Sequence, residues 1–292
     1  MRGIRMEMEI IRHRRLLWEL VKRDLRLRYI GSIMGLFWSV INPLILLVIY
    51  IFIFSLIFGG ASSGGPAADV KRTMASFPVF LCCGVLPWNA LMESLLAATG
   101  IISGSGGLIK KAVFPVAILP MQAIVASFVN FAITLVLFGV FLLGADVFFA
   151  TNVFPGLAFA MVVPLAVLQL IVLVGACYFF ATVNVFFRDM APILNAMMMV
   201  MFWLTPMVYP AWLVTDQYPP VKYFYIVNPF AHLVRLYREF LYRGHPPQGF
   251  GEFGVACPIG VSVLYLLAIG ALAYIVGKYV FTRSQPHFVD EV

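Results

Sequence analysis

Charged side chains are the scarcest feature of this sequence: Asp, Glu, Lys and Arg make up only 11% of its 292 residues. A soluble domain needs roughly a quarter of its residues charged to keep its surface wet. With 62% hydrophobic residues and a mean hydropathy of +0.97, much of this chain's surface must face lipid. Cysteine is sparse as well. Cys82, Cys83 and Cys177 lie inside apolar runs and Cys257 at the edge of one, with no CxxC or Cys/His spacing. That leaves them as small packing residues and implies neither a zinc site nor a disulfide framework. His13, His232, His245 and His287 are scattered, and neither a GxSxG elbow nor an HExxH pair is present. Nothing here equips the chain as an enzyme.

A phosphate-cradling loop is also missing. Gly277-Lys278 is the nearest approach, but Tyr279 stands where Ser or Thr is needed, and Leu272 where the first glycine belongs. Hydrolysis of ATP is therefore not expected of this chain. Ionisable groups at membrane depth are few, and only Glu93 lies well inside an apolar stretch. A coupled carrier needs more than one such group. Glu93 is expected either to pair with a donor on another helix or to touch substrate in a wet cavity.

What is present is a series of apolar stretches, each near the ~20 residues that a helix needs to cross a bilayer core. They run over 33–58, 77–102, 113–143, 154–187, 191–214 and 258–281. The expected fold is an all-α polytopic membrane protein with six transmembrane helices and no soluble domain. Its parts are a basic amphipathic segment (1–30), spans one to five (31–214), an outer helical region (215–257), span six (258–282) and a tail (283–292). The net charge of +7 follows topology rather than nucleic acid, since nine of the 20 Lys and Arg fall within residues 1–30. No apolar stretch precedes residue 33, so 1–30 does not read as a signal peptide. Trp18, Val21, Leu25 and Tyr29 give it an apolar stripe, as in a helix lying on a membrane surface; the alternative is a flexible basic tail. With both termini inside, 14 of the 20 basic residues are cytoplasmic and six are outside, the positive-inside arrangement of an inner-membrane protein. Tyr209, Trp212, Tyr218, Tyr223 and Tyr225 then form an outer aromatic belt.

Two local patterns stand out. Prolines 43, 78, 87, 115, 120, 164, 192, 206 and 210 lie in or beside spans, where kinks or breaks are expected. Asn228-Pro229 is a helix start, followed by Phe230, Leu233, Leu236, Tyr237, Phe240 and Leu241 at spacings of three and four. Arg235, Arg238 and Arg243 on that helix are expected to face water or headgroups. The helix is either a gate or a plain surface element.

Several stretches together resemble a known family, the membrane subunits of ABC-2-type exporters of bacterial surface polysaccharides. The first is Leu17-Trp18-Glu19-Leu20-Val21-Lys22-Arg23-Asp24 through Tyr29, followed by Gly35-Leu36-Phe37-Trp38 and Asn42-Pro43. The second is Gly84-Val85-Leu86-Pro87-Trp88, then Leu108-Ile109-Lys110-Lys111 and Phe114-Pro115. The third is Asn184-Val185-Phe186-Phe187-Arg188-Asp189 with Phe202-Trp203-Leu204-Thr205-Pro206, and the last is Asn228-Pro229 with Arg235. The resemblance implies a permease that works with a second copy of itself and two nucleotide-binding ATPase subunits. ATP and Mg then sit on those subunits, with no cofactor on this chain. It implies a lipid-linked glycan as cargo, such as O-antigen, capsule or teichoic acid. It implies ATPase coupling through residues 1–30 and 103–114, hence Arg23, Arg26, Gly107, Lys110 and Lys111. It also implies a re-entrant outer gate, with Asn228, Arg235 and Arg238 as gate or phosphate contacts. The Gly/Ser-rich loop at 59–65 and Gly104-Ser105-Gly106-Gly107 depart from the pattern. Sugar rings suit aromatic walls, so Phe37, Trp38, Tyr50, Trp88, Phe202, Trp203 and Tyr209 are the candidates for a translocation path. The alternative for each is packing against lipid or protein. A self-contained channel or carrier and a membrane-embedded transferase are the competing classes. Purified alone, the chain is expected to show no ATPase activity; vanadate-sensitive hydrolysis by a homogeneous preparation would contradict this.

Overall fold

The computed structural model describes residues 3–27, 67–111, 114–149, 154–209, 211–242 and 258–292, with isolated positions 41, 45, 48, 49 and 52. Apart from those positions, the first predicted span lies outside the described residues, and so do Phe37, Trp38, Tyr50 and Arg243. Among the described residues all regular structure is helical. The helices are α1 (Gly3–Arg12), α2 (Arg14–Leu27), α3 (Ala67–Gly104), α4 (Gly106–Lys111), α5 (Ile118–Phe149) and, after a 3-10 turn at Gly156–Met161, α6 (Val162–Phe186). They continue with α7 (Met190–Leu204), α8 (Trp212–Thr215), α9 (Val221–Val227), α10 (Pro229–Leu241), α11 (Ile259–Ser284) and α12 (Phe288–Glu291).

Among the described residues, four segments are long and apolar enough to cross a membrane: Val79–Gly104, Ile118–Phe148, Gly156–Phe186 and Ile259–Glu291. They correspond to the second, third, fourth and sixth predicted spans, and they make this a multi-pass membrane protein. The fifth predicted span is not confirmed as a full crossing. Its helix, α7, is only 15 residues long, about 22 Å, against the roughly 30 Å of a hydrocarbon core. Pro206 is the reason. It has no N–H for the helix ladder and forces the preceding residue out of helical geometry, and Thr205 is extended at φ −90°, ψ 137°. Other prolines do less than expected. Pro120, Pro164 and Pro192 each stand in the first turn of a helix, where no ladder bond is lost, and α3 runs through Pro87 unbroken.

Helix α3 is the centre of the bundle: 78% of its apolar window is buried, against 17% for α11. Helices α5, α6 and α10 pack around it. Val136, Val140, Val167, Ile171, Leu264, Leu272 and Ile275 form an exposed apolar exterior suited to lipid. The stripe expected on the amino-terminal helix is turned. Leu20 and Val21 are buried where α2 meets α5, whereas Trp18 is 50% exposed.

The most extensive helix pair is α6 with α11, and glycine makes it possible. A Cβ on Gly175 would sit 2.1 Å from the Tyr274 backbone nitrogen, and one on Gly277 would sit 2.0 Å from the Gly175 carbonyl oxygen. Gly270 adds a third close approach, 3.0 Å from the Val172 Cα. Backbone thus meets backbone, the close packing that small residues permit between membrane helices. Gly175→Ala or Gly277→Ala is expected to cost about 3 kcal/mol, as overpacking does. Gly144→Ala and Gly260→Ala, where nothing lies within 4 Å of the added carbon, are expected to be neutral or slightly stabilising. Thermal unfolding in detergent distinguishes the two pairs.

Candidate functional site

Helix α10 begins as its sequence predicts. Asn228 caps it, its Oδ1 accepting from the Phe230 N–H at 3.0 Å, and Pro229 follows at the first helical position. The same side chain reaches the broken end of α7, where Asn228 Nδ2 donates to Thr205 Oγ1 at 2.9 Å. One residue therefore starts one helix and ties it to the end of another.

Polar bolts then fasten α10 along its length. His232 Nε2 meets the Ile226 carbonyl at 2.8 Å, and a carbonyl can only accept, so the ring proton belongs on Nε2. With a neutral ring, Nδ1 accepts from the Ser262 hydroxyl of α11 at 2.9 Å. That leaves the Ser262 oxygen to accept from Arg235 Nη1, also at 2.9 Å. Tyr237 donates its hydroxyl to Gln169 Oε1 of α6 at 2.9 Å, and Gln169 Nε2 donates to the Pro87 carbonyl of α3 at 2.8 Å. Arg238 donates through Nη1 to the Pro206 carbonyl at 2.6 Å and through Nη2 to the Met207 carbonyl. Its guanidinium lies 3.7 Å from the centre of the Phe80 ring, a cation–π contact. Gly84 gives it room, since a Cβ there would stand 3.1 Å from Arg238 Nη2.

This corrects the expected orientation of the arginines. Arg235 is 9% exposed and Arg238 3%, so both turn into the bundle rather than toward water. Sequence spacing treats every arginine as surface, and it missed that Pro206 leaves carbonyls that a guanidinium can cover. Thr205, Gln169, Tyr237 and Ser262 were not singled out for this role, although a glutamine inside an apolar span was a signal.

The candidate aromatics divide. Trp88 is buried, with its ring centre 6.0 Å from Phe202 and 5.4 Å from Phe230, so α3, α7 and α10 meet there. Phe202 stands against Trp203 at 5.4 Å, and Trp203 is exposed. Tyr209 donates to the Trp203 carbonyl at 2.9 Å and lies 3.4 Å from the Tyr225 hydroxyl. Glu93 Oε1 accepts from Asn130 Nδ2 of α5 at 3.1 Å, a partner on another helix.

The remaining candidates lie apart, toward the other end of the helices. Gly107 and Lys110 are exposed on α4, and the position of Lys111 is on that helix as well. Val292 packs against Gly106, and Asn184 Oδ1 accepts from the Ala191 N–H across the Arg188-Asp189 turn at 3.2 Å. Arg23 and Arg26 are exposed on α2, lining a groove of about 340 Å³ with Glu19, Leu20, Lys22 and Leu27. On α1, Glu7 Oε1 accepts from Lys278 Nζ and from the Tyr274 hydroxyl of α11. Burial pushes the Glu7 carboxyl up, but those hydrogen bonds outweigh it and hold the group below the usual carboxylate range. The contact is accordingly present at neutral pH and lost as pH falls through that lowered value. The structure thus separates the named residues into a clasp around α10 and, apart from it, exposed basic side chains on α2 and α4.

Replacing Arg238 with Met is expected to lower stability by about 3 kcal/mol, because two buried carbonyls lose their donor. Arg235→Met should cost about 1 kcal/mol, since Ser262 keeps its bond to His232. Unfolding curves of both variants in detergent test this order.

Comparison with known proteins gives a consistent picture. The family described as ABC-2 type transporter matches residues 15–242. The chain is similar to an O-antigen export system permease protein, RfbA, of Klebsiella pneumoniae, 28% identical over 278 residues and covering 94% of both chains. It is 27% identical to RfbA of Myxococcus xanthus over 269 residues, 92% of this chain and 95% of the relative. It is 25% identical over 268 residues to the polysialic acid transport protein KpsM of Escherichia coli, 90% of this chain and 91% of the relative.

Proposed function

The chain belongs to the ABC-2 type transporter family, and we propose that it is the membrane permease of an ATP-driven exporter for a lipid-linked surface glycan of the O-antigen class. The observation that carries this reading is end-to-end similarity, over nine-tenths of both chains, to permeases named for O-antigen export. The lack of a phosphate-cradling loop supports energy from separate ATPase subunits, two of them serving two copies of this chain, with ATP and Mg bound there. A single carboxylate at depth, already engaged by Asn130, is poor equipment for a self-contained carrier.

In this reading the protein lies in the cytoplasmic membrane with both termini inside, where the basic residues concentrate. Arg23, Arg26, Gly107, Lys110 and Lys111 form the docking face for the ATPase. Phe202, Trp203 and Tyr209, joined by Phe37, Trp38 and Tyr50, supply apolar walls for sugar rings, with the buried Trp88 packed behind Phe202, and Asn228, Arg235 and Arg238 hold the outer gate helix. The buried guanidinium groups favour a structural part for Arg235 and Arg238 in the closed gate, with phosphate contact only once α10 moves. Similarity to a polysialic acid transport protein keeps capsule polysaccharide as a second cargo class.

The test is reconstitution with a cognate nucleotide-binding ATPase subunit. ATP-dependent transfer of a lipid-linked O-antigen-type glycan across vesicles is expected; transfer without the ATPase would indicate a channel or carrier. In the same system Lys110→Glu with Lys111→Glu should weaken ATPase association about tenfold while leaving the fold intact, as reversal of two interfacial charges does. Co-purification and thermal unfolding read the two effects separately.

A further inference from the structure

Helix α11 is exposed along most of its apolar length, and two features grip its far half. One is the backbone contact of Gly277 with Gly175. The other begins at the next residue. Lys278 Nζ donates to Glu7 Oε1, Tyr274 donates its hydroxyl to the same oxygen, and the ammonium lies 5.3 Å from the Tyr274 ring centre. Two donors one helical turn apart on α11 therefore converge on one carboxylate oxygen of α1. The contact is partly buried, with the Lys278 side chain at 20% and that of Glu7 at 39% exposure. The other Glu7 oxygen is buried. On either side of Glu7, Met6 is buried in the core and Ile10 packs against it, so the carboxylate is held in register.

We propose that the Glu7–Lys278 contact is a transmission link, coupling α1 to α11 so that the two move as one body when the ATPase displaces the amino-terminal helices. This rests on the exporter reading above. A charge-assisted bond suits the task, because it fixes direction and register as apolar packing against a lipid-facing helix cannot. The glycine contact carries the displacement on to α6. From α6, the Gln169 bond to Tyr237 and the Ser262 bonds from α11 both lead to α10. Glu7 and Lys278 are positioning residues in this scheme; neither touches glycan or nucleotide.

The test uses the full chain reconstituted with its ATPase partner. Glu7→Gln should raise the ATP consumed per glycan exported about fivefold, the weight of one partly buried charge-assisted bond. Assembly should be unchanged. The exchanged pair Glu7→Lys with Lys278→Glu should restore the ratio, which a generally weakened fold would not. In a Cys257→Ser background, Glu7→Cys with Lys278→Cys joined by a bifunctional thiol cross-linker that replaces the reach of the two side chains should export at the rate of wild type. An unchanged ratio in Glu7→Gln, or export blocked by the cross-link, would overturn the link. Absence of export in wild type would count against the exporter reading instead. In that case spin labels on Ile11 and Tyr279 still decide the link: a separation constant through the nucleotide cycle supports it, and one that changes refutes it.

Discussion

Pro206 sets the terms on which the upper part of this bundle is built. It cannot donate to the Phe202 carbonyl, and Pro210, four residues on, has no N–H to offer the Pro206 carbonyl in return. In a medium without water such carbonyls need a partner from within the protein. Arg238 supplies it for the Pro206 carbonyl and for that of Met207 beside it, and in doing so fixes where α10 lies. Once α10 is there, Asn228, His232, Arg235 and Tyr237 fall within reach of Thr205, Ser262 and Gln169. A break in one helix is thus repaired by a guanidinium on another, and the rest of the clasp follows from that placement.

The clasp also changes how the charge on α10 should be understood. A buried guanidinium is costly unless its donors are engaged, and carbonyl oxygens at a helix break are the strongest neutral acceptors available. Phe80 beneath the cation adds a favourable face. The helix is therefore held by many directional bonds rather than by a greasy stripe alone. Such a helix has one seated position, and leaving it means breaking several bonds together.

Much of the fold was legible beforehand. Length and lack of charge were enough for the four long spans, because little else makes helical segments of 26 or more residues with so apolar a centre. The start of α10 was legible because Asn followed by Pro has a local mechanism that needs no tertiary context. The break in α7 was half visible: Pro206 announced it, but hydropathy ran on through the break. The burial of Arg235 and Arg238 was not visible, since it depends on the Ser262 hydroxyl and the Pro206 carbonyl, 27 and 32 residues away. Nor was the role of Gly175 and Gly277, whose spacing means nothing until the two helices are laid against each other. Glu7 was hidden for the same reason, its partner standing 271 residues along the chain.

The glycine seam between α6 and α11 has a consequence for how sequences of this kind can diverge. Where two backbones touch, no neighbouring side chain can shrink to make room for a larger one. A change at either glycine cannot be offset by a second change nearby, as it can in an interdigitated core. The seam is therefore a fixed point in mutational space, while the lipid-facing surface of the same helices is free to drift. Homologues that exchange cargo are expected to remodel the aromatic walls and keep the seam.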